Sequence, residues 1–220
     1  MKGKSRVGLV LILLGAVMLI GALALYQNNQ EEALEAEAAS GEVMEQMAVI
    51  IAGRNTQPDP DDVVSAAEPA EEKTQIQELP SWEPSPEEVP VETVEIDGNR
   101  YIGFLTIPAL SLELPVMENW DYDLLKIAPC RYSGTLKDGD LVIAAHNYKR
   151  HFGRLSELSV GSEVLFTDAA GSSTKFTVAE LEILQPEDVE YMTAGEYELT
   201  LFTCTYGGST RFAARCVRAD

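Results

Sequence analysis

Twenty consecutive residues near the start of the chain, VGLVLILLGAVMLIGALALY at 7–26, carry no charge. A helix rises about 1.5 Å per residue, so the run reaches about 30 Å, enough to cross a hydrocarbon core. A cleaved signal peptide is the rival reading. Its apolar region is usually about 7–15 residues; the run here is longer, and no convincing small-x-small cleavage site precedes the polar segment. The run therefore reads as an uncleaved anchor. Lys2, Lys4 and Arg6 precede it and acids follow it. The positive-inside rule then places residues 1–6 in the cytoplasm and the remainder outside the cell.

Charge divides the rest of the chain. The 220 residues have a formal net charge of −20 and a pI of about 4.4, which argues against nucleic acid as a partner. Residues 27–95 hold 18 acids against Arg54 and Lys73, whereas 96–220 hold 18 acids and 11 bases. Most of the acidity thus belongs to one segment. Residues 54–93 also hold seven of the eleven prolines. Such a stretch buries too little apolar surface to offset the entropy of ordering it. Residues 27–93 read as a disordered, acidic stalk that holds a domain away from the membrane face. Within it, Val43, Met44, Met47, Ile50 and Ile51 recur at helical spacing, which predicts a short helix over 42–53.

From residue 94 to 220 the pattern becomes strand-rich. NRYIGFLTIPAL and LELPVM read as two strands around a proline-containing turn, and DYDLLKIAP as a short helix stopped by Pro129. GDLVIAAHNY is a buried strand ending at His146, and HFGRLSEL a helical turn. SEVLFTD and KFTVAELEIL form a hairpin, and PEDVEYM supplies one helical turn. YELTLFTC and TRFAARCV are the last two strands. Many short strands with few helices predict an all-β barrel of ordinary single-domain size.

Three residues of this domain could carry chemistry together. A thiol becomes a strong nucleophile when deprotonated, and a neighbouring imidazole or cation favours that state. Cys204 and His146 both stand at the ends of apolar strand runs. If those strands are parallel, the two residues meet at one rim. Arg211 opens the strand after a short turn and returns to the same rim. Arg211 and Arg215 share one strand face, and Arg211 is nearer the rim. Alone, a cysteine at a strand end is more often structural. His151 lies in the charged stretch YKRHFGRL and reads as a surface or capping residue. Asn147 could orient the imidazole or substrate, and Tyr206 could contact substrate from the turn. Cys130 and Cys216 read as free, buried thiols, with a bridge between them, both lying outside the membrane, as the alternative.

The order His146, Cys204, Arg211 and the box TLFTC resemble the sortase signature T-L-x-T-C. LVIAAHN is similar to the strand that bears the sortase histidine. The resemblance covers about residues 95–220, and the anchor and stalk fit the usual sortase layout. It implies an eight-stranded β-barrel with short helices. It also implies a cysteine transpeptidase with Cys204 as nucleophile, His146 as general acid/base, Arg211 as oxyanion or substrate-positioning group, and Thr203 near bound substrate. The implied partners are an LPxTG-like C-terminal sorting motif and an amine of a peptidoglycan precursor or a pilin. No metal or organic cofactor is implied. The six-residue loop between Cys204 and Arg211 resembles class D or class B members more than class A, and no Asp-Pro-aromatic lid of class C kind is seen. Two other function classes stay in view: a different surface cysteine hydrolase, and a non-catalytic, membrane-tethered binding domain. Papain-like enzymes place Cys before His, and L,D-transpeptidases use an S-x-G-C-x-R box that this chain lacks.

Overall fold

A computed structural model describes residues 3–54, 91–194 and 196–219. The chain begins with one long helix, α1 (Gly3–Arg54). Nine strands follow: β1 (Val94–Ile96), β2 (Asn99–Ile107), β3 (Leu112–Met117), β4 (Cys130–Ser133), β5 (Leu141–Ala145), β6 (Glu163–Asp168), β7 (Ser173–Leu184), β8 (Leu199–Cys204) and β9 (Arg211–Arg218). A one-turn helix, α2 (Val189–Met192), precedes β8, and three short 3₁₀ turns complete the described elements.

The sheet closes on itself. Its order is β1-β2-β3-β4-β5-β8-β9-β7-β6, and β6 pairs back onto β2. β2 through β9 form the expected eight-stranded barrel, while the three-residue β1 extends β2 beyond the seam with β6. Gly103 makes that seam possible. It has φ +147°, and a Cβ there would stand 2.1 Å from the Thr167 carbonyl oxygen. Two strands absent from the sequence expectation, β1 and β4, are short and lack a long apolar run.

Alternation along the strands makes two apolar layers. Ile143 and Ala145 of β5, Leu199 and Leu201 of β8, and Ala214 and Cys216 of β9 fill the barrel interior. The alternate residues Val142, Ala144, Phe202 and Ala213 belong to a second layer on the outer face. Val43, Met47 and Ile51 of α1 join this outer layer.

Residues 27–54 depart from the stalk expectation. The helix is not confined to 42–53 but runs unbroken from the apolar span to Arg54. Glu, Ala, Gln and Met dominate 30–47, all but Ser40 and Gly41 are tolerant of helix there, and the first proline comes only at Pro58. Ala36, Ser40, Val43, Met47 and Ile51 are buried at spacings of three and four, a single stripe against the barrel. By contrast, Leu9, Val17, Leu19 and Leu25 are exposed, as a lipid-facing surface would be. Arg54 ends the helix with a 2.9 Å hydrogen bond to the Ala169 carbonyl and a 3.1 Å ion pair with Glu92. The remainder of the expected stalk, residues 55–90, lies outside the described residues.

Candidate active site

β5 and β8 are parallel neighbours, with Ala145 opposite Thr203. Parallel strands lie about 4.8 Å apart. His146 and Cys204 each follow that last pair by one residue, so they emerge side by side at one rim. The Thr203 hydroxyl donates a 2.8 Å hydrogen bond to the Ala145 carbonyl and locks the two strand ends together. Thr203 is itself buried. Its side chain lies on the opposite face from Cys204, where it fixes the spacing of the strands.

β9 returns antiparallel beside β8, with Cys204 opposite Arg211, Phe202 opposite Ala213 and Thr200 opposite Arg215. Residues opposite one another share a face. The outer face therefore carries Cys204 and Arg211 in its first row and Arg215 two rows below. The turn between the strands is closed by Thr205 N–H to the Thr210 carbonyl at 3.0 Å and Gly208 N–H to the Thr205 carbonyl at 2.8 Å. Gly207 and Gly208 take φ of +85° and +74°, a conformation open to glycine at little cost. Arg211 Nη1 donates to the carbonyls of Gly208 and Thr210 at 3.0 and 3.1 Å. Tyr206 stands at the turn tip with 98% of its surface exposed, and Asn147 is exposed just past His146.

Arg215 has a different setting. It is 3% exposed and its guanidinium is engaged on three nitrogens. Nε donates to Glu182 at 2.5 Å, Nη1 to the Met192 carbonyl at 2.8 Å and Thr200 at 3.1 Å, and Nη2 to the Tyr191 carbonyl at 3.0 Å. The rings of Tyr191 and Tyr197 flank it at 5.1 and 5.5 Å. Arg215 thus ties α2 to the barrel.

The histidine pocket is layered. The His146 ring is 4.8 Å from that of Tyr148, and Tyr148 is 5.6 Å from His151. Burial holds the His146 pKa below the ordinary value, Lys126 lowers it further, and Glu32 of α1 acts in the opposite sense. His151 corrects the expectation of an exposed residue: it is fully buried. Its charged neighbours point outward while its own ring packs under α1, with Nε2 3.4 Å from the Ser40 hydroxyl. Its Nδ1 has no hydrogen-bond partner among the described residues. Burial first, and His146 second, push its pKa down to about 4.

A row of aromatic side chains borders the site. Trp120 meets Tyr132 edge-on at 6.2 Å, and Tyr132 meets Phe202 at 5.3 Å. Phe202 lies on the same face of β8 as Cys204, one row away, which places the row beside the site. Sequence reasoning missed these rings because β4 has only four residues and Trp120 lies in a loop. All three cysteines are free. Cys130 belongs to the outer layer and Cys216 to the interior, and burial pushes both thiols up to about 12. Cys204 alone is partly exposed. Among the described residues, no three His, Cys, Asp or Glu side chains converge as a metal site. A cavity of about 480 Å³ opens near Leu141 and Arg218 at the opposite end of these strands, away from Cys204.

The family model for the sortase domain matches residues 105–219. The chain belongs to the sortase family. Among curated proteins, the sortase resembles sortase A of Bacillus anthracis, with 26% identity over 125 residues. The match covers 54% of this chain and 59% of that protein, so the sortase spans less than two thirds of this relative's length. Among solved structures, it resembles sortase C1 of Streptococcus agalactiae, with a TM-score of 0.51, 23% identity, and coverage of 57% of this chain and 71% of that one. A Clostridium perfringens sortase D5 transpeptidase aligns with a TM-score of 0.49 and 20% identity over 55% of this chain and 79% of that one. The shared barrel is the fold that the strand pattern predicts.

Proposed function

We propose that this sortase is a membrane-anchored cysteine transpeptidase. In this reading it cleaves an LPxTG-like C-terminal sorting motif and transfers the acyl group to an amine of the cell wall or a pilin. The observation that carries the reading is the single rim of His146, Cys204 and Arg211, built by a parallel ladder on one side and an antiparallel ladder on the other.

The roles follow from chemistry. The Cys204 thiol gives its proton to His146, and the sulfur attacks the scissile carbonyl carbon. The carbonyl oxygen gains negative charge, and the Arg211 fork donates hydrogen bonds to it. To do so, Arg211 exchanges carbonyls of its own turn for the oxyanion. The C–N bond then breaks, the departing amine takes the proton from His146, and a thioester remains. The accepting amine attacks that thioester, loses its proton to His146, and expels Cys204. Depression of the His146 pKa by burial keeps the imidazole neutral near pH 7, ready to accept a proton.

The anchor serves this task by confinement. Substrates held in the same membrane meet the site at raised effective concentration. The apolar run 7–26 supplies that anchor, with residues 1–6 cytoplasmic and the barrel, residues 94–220, outside. Asn147 and Tyr206, exposed on either side of the rim, are where a bound peptide or amine would make contact.

The test is a sorting-motif peptide library with the full chain in lipid nanodiscs. A covalent adduct on Cys204, released by an added amine as a new amide, is expected. Adduct formation by Cys204→Ala would overturn the mechanism.

A further inference from the structure

Helix α1 does more than tether. Its stripe reaches the loop that bears His146 at several points. Glu32 accepts a 3.4 Å hydrogen bond from the Tyr148 hydroxyl. Glu37 forms a 3.1 Å ion pair with Arg150. Ser40 donates at 2.8 Å to the Ile127 carbonyl and lies 3.4 Å from His151 Nε2. The loop is tight beneath these contacts: His151 N–H and Gly153 N–H both donate to the Tyr148 carbonyl at 2.9 Å, and Phe152 N–H to the His146 carbonyl at 3.1 Å. A Cβ at Gly153 would stand 2.3 Å from the Asn147 carbonyl oxygen, so the loop backbone passes within close contact of itself.

Tyr148 is the piece that links helix to histidine. Its ring lies over His146 and its hydroxyl points to Glu32. We propose that Tyr148 is a positioning residue for the His146 imidazole, and that docking of α1 through Glu32, Glu37 and Ser40 holds it in place. This rests on the reading of His146 as the acid/base. The alignment matters because a proton acceptor must stay within hydrogen-bond reach of the thiol, and a misplaced ring loses rate steeply. The charges that face the pocket come from three elements: Glu32 and Glu37 on α1, Lys126 on the preceding turn, and Arg150 and His151 on the histidine loop itself. Lys126 is itself ion-paired with Asp123 at 2.6 Å, so the barrel presents it as a matched pair, and Glu32 is the carboxylate that the helix adds.

Only two histidines occur in the chain, so selective ¹³C labelling of the full chain in nanodiscs gives two imidazole signals. His146→Gln assigns them. Tyr148→Ala is expected to move the His146 signal, through loss of the ring above it, and to lower kcat/KM about tenfold. Tyr148→Phe keeps the ring and is expected to restore the His146 signal, but only part of the rate, because it lacks the hydroxyl that meets Glu32. Glu32→Gln removes an anion that favours the imidazolium, so the His146 titration midpoint is expected to fall, carrying the acidic limb of the kcat/KM profile with it. Unchanged His146 shifts and midpoints in Tyr148→Ala and Glu32→Gln would overturn the proposal. The imidazole readout is independent of turnover. A chain that shows these shifts yet cleaves no peptide supports the positioning and sinks the transpeptidase reading.

Discussion

Cys204 and Arg211 occupy directly opposed positions on β8 and β9, the last pair before the turn that joins the two strands. Opposed residues in an antiparallel ladder are about 5 Å apart at Cα and share a face. The backbone ladder thus holds the thiol and the guanidinium on one face. The turn also gives Arg211 its resting partners, two carbonyls of its own loop.

Removal of Arg211 should therefore leave the fold intact and damage the chemistry. Arg211→Ala is expected to lower kcat by about 10²–10³-fold, the usual loss for an oxyanion donor. Arg211→Lys should recover little, since an ammonium lacks the planar fork. Steady-state kinetics beside an unchanged denaturation midpoint is the check.

Arg215 should behave in the opposite way. Truncation strands Glu182 and removes the hydrogen bonds that hold α2. Arg215→Ala is expected to cost about 3–5 kcal/mol of stability, read from chemical denaturation. Activity per folded molecule should fall less than in Arg211→Ala. If stability stays within experimental error of the parent, the buried pair does not anchor α2.

The pH dependence of stability has a named source in His151. Its folded pKa, about 4, lies below the ordinary value of 6.5. The unfolded chain therefore binds a proton that the folded chain refuses once pH drops below about 6.5. The stability contribution is fully present above that pH and is lost as pH falls toward 4. A depression of this size corresponds to about 3 kcal/mol. Replacement by Phe, which cannot titrate, should flatten the difference between denaturation midpoints at pH 7 and pH 4.5.

Thiol accessibility gives a simple assay. Native alkylation should label Cys204 alone, because Cys130 and Cys216 are buried with raised pKa values. Denaturation without reductant should then expose both remaining thiols. A native product carrying three labels, or a denatured one carrying only one, would contradict the arrangement by intact mass.

The barrel seam can be tested at Gly103. Alanine there meets the Thr167 backbone and is asked to adopt φ +147°. Gly103→Ala is expected to cost at least about 1–3 kcal/mol from the backbone alone, with a loss of midpoint in thermal or chemical unfolding.

Much of the barrel was legible because its long strands announce themselves. The apolar runs at β5 and β8 predicted His146 and Cys204 at strand ends, and the alternation in RFAAR predicted that Arg211 and Arg215 share a face. What sequence could not supply was contact across distance. His151 sits among charged neighbours, so only the docking of α1 reveals its burial. The role of Thr203 depends on which way its side chain turns, which the register with Ala145 decides. Trp120, Tyr132 and Phe202 come from three separate segments, and no local pattern joins them. The helix of 27–54 was under-read because its acids mask a stripe of only five buried residues.

The contact between Arg54 and Glu92 has a further consequence. It fixes Glu92, just before β1, against the end of α1, whatever the length of the acidic, proline-rich segment between them. That length then sets no distance between barrel and bilayer. With residues 7–26 in the membrane, that distance is ruled by α1 alone: from Tyr26 to Glu32 is about 9 Å along the axis. The rim that carries His146 and Cys204 would ride near the lipid headgroups, at a height that insertions into residues 55–90 leave unchanged and that a single added helical turn before Glu32 would raise.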